Sequence, residues 1–408
     1  MARSMVLLDR EIDFSPDEAV SAGGESVPYP WGFWEGSGPP NRKAISDQVI
    51  KYLRTFKARA IVGNPPELSF LHILVPPQSL PLPPPYMGLD SGRISSTDKN
   101  LVALYAGRYR PGSSLRGGYL IYDASNDSLS VIPRLPDDDD DLRGVMGHQS
   151  AVVMCDAQGE GYLLAELVMP RFSQAGVWLW KSSAKEWVLL SGSHPLPSRF
   201  SVDLCFSYRG SILCWVDLLK GMLLCDLNQD CNNKFSFINL PQDCPTYDVN
   251  PEYPDIVRPD EFRSMACVCG HIKLIALDEY GLELILWTLS PDLSGWTMTC
   301  KYNVKKIWAN VSYQSAGLRQ LAPLLPVLSI HQDGVVYLVV NDESIVDRRL
   351  VHKGQYLLRV DMENDEVHVS PQPTRRICSQ LFVSEFSAHQ QCLQHHPAGT
   401  TITTIKQL

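Results

Sequence analysis

The sequence lacks a long apolar run. None of its 408 residues belongs to a stretch approaching the roughly twenty apolar residues that a helix needs to cross a bilayer. The longest candidate, Leu321–Ile330, is interrupted by Pro323 and Pro326. Near the N-terminus, Met5–Leu8 is too short for the core of a signal peptide and is followed at once by three charged residues. We therefore expect no membrane partner and a cytoplasmic or nuclear location.

Short motifs for catalysis, phosphate binding or metal binding are also missing. The sequence has no Gly-x-Ser-x-Gly elbow, no Gly-x-x-x-x-Gly-Lys loop, no His-Glu-x-x-His helix and no Cys-x-x-Cys pair. Its ten histidines are scattered, and the one adjacent pair, His395-His396, lies in a polar stretch where solvation explains it. We predict no catalytic residue, no cofactor-binding residue, no metal ligand and no cofactor.

Positive charge is in deficit, with 36 Lys and Arg against 45 Asp and Glu and a formal net charge of -9. This balance argues against general binding of nucleic acid, so we expect no nucleic-acid partner. The run Asp137–Asp141 can attract a divalent cation or a basic partner, but it lacks the Gly and Glu spacing of a calcium loop, which favours a solvated loop.

The 11 cysteines fall mostly in apolar patterns and are expected to be reduced and buried.

The clearest structural unit in the sequence is Ser201–Pro241. Four short runs rich in apolar, aromatic and β-branched residues follow one another there: Leu204–Tyr208, Ile212–Asp217, Met222–Asp226 and Phe235–Leu240. Turn residues separate them, and Arg209-Gly210 is typical of a two-residue hairpin loop. The stretch therefore predicts a four-stranded antiparallel meander.

The middle strands of this unit are apolar at consecutive positions, which indicates burial on both faces. Such strands usually belong to parallel sheets covered by helices, but the connections here are too short for crossover helices. The covering layers must then be other antiparallel sheets, as in the blades of a propeller.

Looser copies of the unit recur along the chain. Five hairpins begin near Tyr119, Val177, Met222, Leu284 and Tyr356, at spacings of about 45 to 72 residues, and propeller repeats run about 40 to 50 residues with extra length in the loops. We predict an all-β fold of antiparallel four-stranded repeats, most simply a propeller of about five or six blades. Paired β-sandwiches are the alternative that the irregular spacing leaves open.

The ends of the predicted ring are less regular. In the first unit, Phe70–Val75 would have to pair with Leu101–Ala106 across a proline-rich loop, and Ile377–Phe386 is a candidate for closing the ring. We expect residues 1–56 to be irregular apart from a short helix within Lys43–Ala58, residues 57–386 to form the β domain, and residues 387–408 to form a tail.

Aromatic and proline-rich segments are the main candidates for recognition. Pro28–Trp34 is either a docking peptide or an aromatic plug on the domain, and Pro76–Pro85 is either an SH3-type or WW-type ligand or a stiff loop; the second reading is favoured for both. Six tryptophans recur within the strand patterns and are expected to pack in the core rather than stack on a ligand: Trp178, Trp180, Trp187, Trp215, Trp287 and Trp296.

The stretch Cys214–Asp226, with its Trp-Val-Asp-Leu-Leu-x-Gly core, resembles a plant family, expanded in grasses, that is known only as domain of unknown function 1618. The similarity continues through Phe237–Pro241, Ile272–Ile275 and Trp287–Trp296 and covers about two-thirds of the chain. The resemblance implies no activity, cofactor or catalytic residue. The architecture also resembles the propeller-like regions that follow F-boxes in plant ubiquitin-ligase adaptors, although no Leu-Pro-led F-box pattern precedes the blades here.

The sequence thus favours a non-enzymatic propeller that binds a protein partner through its inter-strand loops. One alternative is a propeller-type hydrolase or sugar-processing enzyme, because such active sites are assembled from loops of different blades and leave no local motif. The other is an adaptor-like substrate receptor of a ubiquitin ligase.

Overall fold

The predicted fold class is confirmed, because four-stranded antiparallel sheets follow one another around a ring as the blades of a β-propeller. The computed structural model describes residues 5–16, 42–76, 89, 91–107, 117–133, 135–136, 150–156, 161–168, 176–191, 197, 200–229, 234–245, 258–278, 280–346, 349–372, 377 and 380–385. Within those residues, no helix has the length and apolar character required to span a membrane.

Five blades each contain four strands that are consecutive in the chain. Blade 1 contains β5 (Ser91–Asp98), β6 (Leu101–Ala106), β7 (Gly118–Asp123) and β8 (Ser128–Val131). Blades 2 and 3 contain β9 (Ala151–Cys155), β10 (Tyr162–Val168), β11 (Gly176–Lys181) and β12 (Glu186–Ser191), then β13 (Leu204–Tyr208), β14 (Ile212–Asp217), β15 (Gly221–Asp226) and β16 (Phe235–Asn239). Blades 4 and 5 contain β17 (Arg263–Val268), β18 (His271–Leu277), β19 (Glu283–Leu289) and β20 (Trp296–Asn303), then β21 (Leu324–Leu328), β22 (Val335–Val346), β23 (Arg349–Asp361) and β24 (Glu366–Pro371).

A sixth sheet closes the ring and joins the two ends of the described chain. This closing sheet has the order β25 (Phe382–Ser384), β1 (Val6–Leu8), β4 (Leu68–Val75) and β3 (Lys57–Ile61), with β1 and β4 parallel. Strand β2 (Glu11–Pro16) links the closing sheet to blade 1, because it pairs with both β4 and β5. The C-terminal segment therefore takes part in closure, as the sequence suggested.

Short helices complete the described structure. Helix α1 (Arg42–Leu53) begins one residue before the predicted helix Lys43–Ala58 and ends well before its predicted end, ahead of β3. A 3-10 turn (Pro259–Glu261) precedes β17. Between blades 4 and 5 lie α2 (Val304–Ala309) and α3 (Val311–Ser315). Their N-cap residues are Asn303 and Asn310, and each Asn side chain accepts the backbone N–H of the residue two positions later. The predicted irregular segment 1–56 thus holds two strands as well as the helix; the domain boundaries stay predictions.

The pairing predicted for the first blade is wrong. Strand β6 pairs with β5 and β7, whereas Phe70–Val75 belongs to the closing sheet. Strand β5 has the sequence Ser-Gly-Arg-Ile-Ser-Ser-Thr-Asp, which has the composition of a loop. It is a strand because its polar side chains bond the neighbouring blades, as described below.

Six buried apolar clusters lie between successive sheets, one at each junction around the ring. Strand β14 shows how the sequence produces this arrangement. Its Leu213 and Trp215 face blade 2, and its Cys214 and Val216 face blade 4. Consecutive apolar residues are therefore needed because both faces are covered. Each of the six sheets therefore packs against the sheet before it and the sheet after it, so the sheets form a closed ring and not paired sandwiches.

Tryptophan side chains bond blades 2, 3 and 4 each to the preceding blade. The indole N–H groups of Trp187, Trp215 and Trp296 donate to backbone carbonyls of the blade before, over 3.0, 2.6 and 2.8 Å. Trp215 and Trp287 are 0% and 1% exposed. Trp180, 6% exposed, is buried as well. The prediction of core packing is confirmed for these three, and the aromatic ring and N–H together explain why Trp recurs in the repeats.

Candidate functional site

A cavity of about 620 Å³ lies at the centre of the ring. Its walls come from the innermost strands of all five blades and of the closing sheet, with Asp98, Cys155, Ser207, Cys267 and Leu328 among the lining residues. A cavity of this size is within the range of about 300 to 1,000 Å³ that accepts a drug-sized ligand or a short inserted segment. No sequence motif marks it, because each blade contributes only a few residues.

One end of the ring is filled by Arg10, which lies in the connection between β1 and β2. Its side chain is 1% exposed. Its Nη2 donates to the carbonyl of Asp203 over 3.1 Å, and its guanidinium lies 5.2 Å from the ring centroid of Phe382. Asp203 precedes β13, and Phe382 belongs to the closing sheet, so Arg10 spans the ring where the innermost strands begin. Burial lowers its pKa to about 10, which leaves it charged at neutral pH.

The other end of the cavity is bordered by the hairpin turns that join first and second strands of the blades. Lys99, Arg209 and Cys269 occupy these turns with φ of 51°, 51° and 48°, the left-handed conformation of tight hairpins. The Arg209 loop spans three residues and not the predicted two, since Tyr208 pairs with Ile212. The side chains of Lys99, Arg209 and Cys269 are exposed, so the mouth carries two cations on short, well-defined turns.

Polar side chains of β5 hold the innermost strands together. The hydroxyl of Ser96 donates to the carbonyl of Ala151 over 2.8 Å and accepts the N–H of Val153 over 2.7 Å, and Asp98 accepts the N–H of Cys155 over 2.6 Å. On the other side, Thr97 donates to the carbonyl of Val383 in the closing sheet over 2.7 Å. Strand β9 has a strand partner on one edge only, and the side chains of β5 satisfy backbone groups along its other edge.

Burial raises the pKa of one carboxyl group and two thiols that line the cavity. Burial raises the pKa of Asp98, against the effect of the Cys155 N–H and of nearby Lys99. Burial also raises the pKa of Cys155 to about 12 and that of Cys267 above its ordinary value. These thiols are therefore protonated at neutral pH and are poor nucleophiles. Within the described ranges, no three His, Cys, Asp or Glu side chains are arranged to hold a metal ion.

An unsatisfied acceptor lies at the inner end of the cavity. The side chain of Gln380 is 4% exposed, and its Nε2 donates to the hydroxyl of Ser264 over 2.7 Å. Its Oε1 has no hydrogen-bond partner among the described residues. Both residues line the cavity, so a donor on an occupant can satisfy this oxygen. Sequence reasoning missed the pair because Gln380 and Ser264 are brought together only by ring closure.

Several segments that the sequence singled out lie outside the described residues. These are the aromatic segment Pro28–Trp34, most of the proline run Pro76–Pro85, the acidic run Asp137–Asp141 and the pair His395-His396. The sequence-based interpretations of these segments stay predictions.

Residues 215–337 match the model of a family described as "Protein of unknown function (DUF1618)". The match runs from the second strand of blade 3 to the second strand of blade 5 and supports the resemblance for that part of the chain. Plant origin and likeness to F-box-associated regions stay predictions. No curated protein matches the chain.

Solved structures similar to the chain include one whose name identifies a propeller. The propeller domain of the Trilobed protease from Pyrococcus furiosus is 9% identical with a TM-score of 0.33, covering 67% of this chain and 68% of that one. The WD40 domain of SCAP from fission yeast is 10% identical with a TM-score of 0.36, covering 70% and 56%. TolB from Acinetobacter baumannii is 9% identical with a TM-score of 0.35, covering 70% and 54%, so the chain spans about half of TolB.

Proposed function

We propose that this propeller is a non-enzymatic protein-interaction module whose partner binds at the mouth of the central cavity. The observation that carries the proposal is the mouth itself, where exposed Lys99 and Arg209 stand on tight turns beside a recessed cavity. Among the described residues, neither cation forms a salt bridge. A cation that forms no salt bridge with these residues is available to a partner outside the chain.

The rigidity of the mouth supports binding of a protein surface. Arg209 is held with its guanidinium 4.8 Å from the ring centroid of Tyr208, which is itself buried. A short turn and a stacked guanidinium lose little conformational freedom when a partner binds, and Arg and Tyr are enriched among residues that dominate interface energetics.

One observation favours an enzyme as the second candidate. Asp98 is a carboxyl with a raised pKa in a cavity, which is a common feature of acid-base catalysts. Its contact with the Cys155 N–H accounts for it without catalysis, because that bond joins blades 1 and 2. We therefore rank the enzyme below the interaction module. An adaptor for a ubiquitin ligase is one specific form of that module.

Affinity capture from extract of the source organism tests the proposal. The baits are the wild type, the double variant Lys99→Glu/Arg209→Glu, and Lys185→Glu, which changes an exposed lysine at a similar φ of 54° on the β11–β12 turn, outside the cavity lining. We expect one or more proteins to be enriched by the wild type and by Lys185→Glu but not by the double variant. Each enriched protein is then purified and its direct binding measured.

Equal enrichment by all three baits, or no reproducible partner, would count against the proposal. Co-enrichment of ubiquitin-ligase subunits would specify the adaptor form. Turnover of a substrate in the cavity, lost on Asp98→Asn, would establish the enzyme instead.

A further inference from the structure

The inner half of the cavity differs in chemistry from its mouth. Among the described residues that line the cavity, those with ionisable acidic or basic side chains all lie at or beside the hairpin turns of the mouth: Asp98, Lys99, Arg209, His331 and Glu385. The inner half is lined by uncharged residues of β13, β17, β21 and the segment that leads into β25. A charged group placed there would lose water without gaining an opposite charge from the wall. The inner half therefore favours an uncharged occupant.

Apolar side chains form most of the wall in this inner half. Leu204, Met265 and Leu381 are nearly fully buried there. The rings of Phe206 and Phe382 also line the cavity and keep part of their surface exposed. Covering exposed aromatic surface with another apolar group is favourable, and ligand cavities are commonly lined in this way.

One polar group in the inner half has an unmet hydrogen bond. The side chain of Gln380 is 4% exposed, its Nε2 donates to the hydroxyl of Ser264 over 2.7 Å, and its Oε1 has no partner among the described residues. By contrast, the hydroxyl of Thr97 and the thiol of Cys205 both donate to backbone carbonyls. The amide of Gln380 is therefore the group on which an occupant's polar atom can be placed.

A hydroxyl group is the best complement for this amide. The hydroxyl of Ser264 can accept from Nε2 or donate to Oε1, so a half-turn of the Gln380 amide exchanges an unmet oxygen for unmet N–H groups. A ligand hydroxyl both donates and accepts, and it satisfies the amide in either arrangement. An ether only accepts, and a hydrocarbon does neither.

The polar pair lies deep below the mouth. Ser264 is near the start of β17, which ends at Val268, and a strand rises about 3.3 Å per residue, so the pair lies about 13 Å below the turn that follows β17. A side chain of a protein seated at the mouth does not span that distance. A separate small molecule does fit, since the cavity of about 620 Å³ is within the usual range for ligand sites.

We infer that the inner half of the cavity is a binding site for a small uncharged alcohol. Its hydroxyl bonds the amide of Gln380, and its apolar body covers the exposed surface of Phe206 and Phe382. This site is separate from the mouth, so the inference goes beyond the proposed function and does not depend on it.

Fluorine NMR of three matched probes tests the inference on the purified full-length chain. The probes are para-trifluoromethyl benzyl alcohol, para-trifluoromethyl ethylbenzene, in which a methyl group replaces the hydroxyl, and para-trifluoromethyl benzoate, which carries a charge. We expect saturable binding of the alcohol to wild type with a Kd on the order of 1 mM, which is ordinary for a fragment of this size.

The decisive comparison removes the amide and keeps the volume of the side chain. Gln380→Met should weaken binding of the alcohol about fivefold, because the hydrogen bond is lost, and should leave binding of the ethylbenzene unchanged or tighter. The control is Gln372→Met, at a half-buried glutamine outside the cavity lining, which should change neither. Thermal melts establish that both variants are folded.

The benzoate tests the absence of charge from the inner wall. Buried Arg10 lies beyond the inner end, outside the lining, with its Nη2 donating to the carbonyl of Asp203. If Arg10 attracted an anion into the cavity, the benzoate would bind best. We expect the alcohol to bind wild type about tenfold more tightly than the benzoate. This comparison needs no variant, so it decides the inference if Gln380→Met melts early.

Three results would each overturn the inference: no saturable binding of the alcohol, equal effects of Gln380→Met on the alcohol and the ethylbenzene, or benzoate binding as tight as that of the alcohol. Affinity capture at the mouth changes Lys99 and Arg209 and leaves Gln380 intact. The proposed function and the alcohol site can therefore fail independently.

Discussion

Trp215 provides the sharpest test of how the blades hold together. Its side chain is 0% exposed in the layer between blades 2 and 3, and its indole N–H donates to the carbonyl of buried Ser150 over 2.6 Å. Replacing Trp by Ala in a core costs about 3 to 5 kcal/mol, and leaving a buried carbonyl without a donor costs about 1 to 3 kcal/mol more. We expect Trp215→Ala to lower the free energy of unfolding by about 4 to 8 kcal/mol.

Trp215→Phe separates the two contributions, because it retains an aromatic ring and removes the N–H. We expect a loss of about 1 to 3 kcal/mol for this variant. Urea unfolding followed by far-UV circular dichroism measures both, and Trp178→Ala at a half-buried position serves as the control with a smaller loss. A loss under about 1 kcal/mol for Trp215→Ala would refute the assignment of this side chain to the inter-blade core.

Two further predictions concern buried polar groups. Burial raises the pKa of Glu166 to about 8, from 4.5 in the unfolded chain. Between these two pH values the folded chain holds a proton that the unfolded chain has lost. The free energy of unfolding therefore falls as pH rises through that window. Urea unfolding at pH 5, 7 and 9 should show this fall, and Glu166→Gln should reduce it; an unchanged slope would contradict the assignment. Ser96→Ala removes the hydroxyl that accepts the Val153 N–H and donates to the Ala151 carbonyl, so we expect a loss of about 2 to 4 kcal/mol in the free energy of unfolding. Exposed Ser128→Ala should cost under about 0.5 kcal/mol, and equal losses would contradict the blade-linking role.

The blades were predictable wherever burial on both faces left a local signature. The consecutive apolar residues of β14 indicated covering sheets, and the recurrence of Trp indicated packing between them. Strand β5 was missed because a strand whose hydroxyl and carboxyl groups serve neighbouring backbone edges has the composition of a loop. Burial of its Ser95 and Ser96 is visible only in three dimensions.

Ring closure and the mouth of the cavity depend on contacts between distant parts of the chain. Val6 pairs with Ser384, and nothing local in either strand specifies the other. Lys99 and Arg209 look like ordinary solvated turn residues in the sequence, and only the contact of β5 with β13 brings their turns to the same cavity. Gln380 likewise becomes part of the cavity wall only because the fold brings it to Ser264, a residue distant in the sequence.

Site-specific photo-crosslinking tests the central claim most directly. A benzophenone amino acid is placed at position 209, at the mouth of the cavity, or at position 185, on a turn outside the cavity lining, and each protein is irradiated in cell extract. We predict a discrete adduct from position 209 that mass spectrometry maps to one segment of one partner protein, with no such adduct from position 185. Identical adducts from both positions, or none from position 209, would contradict binding at the mouth.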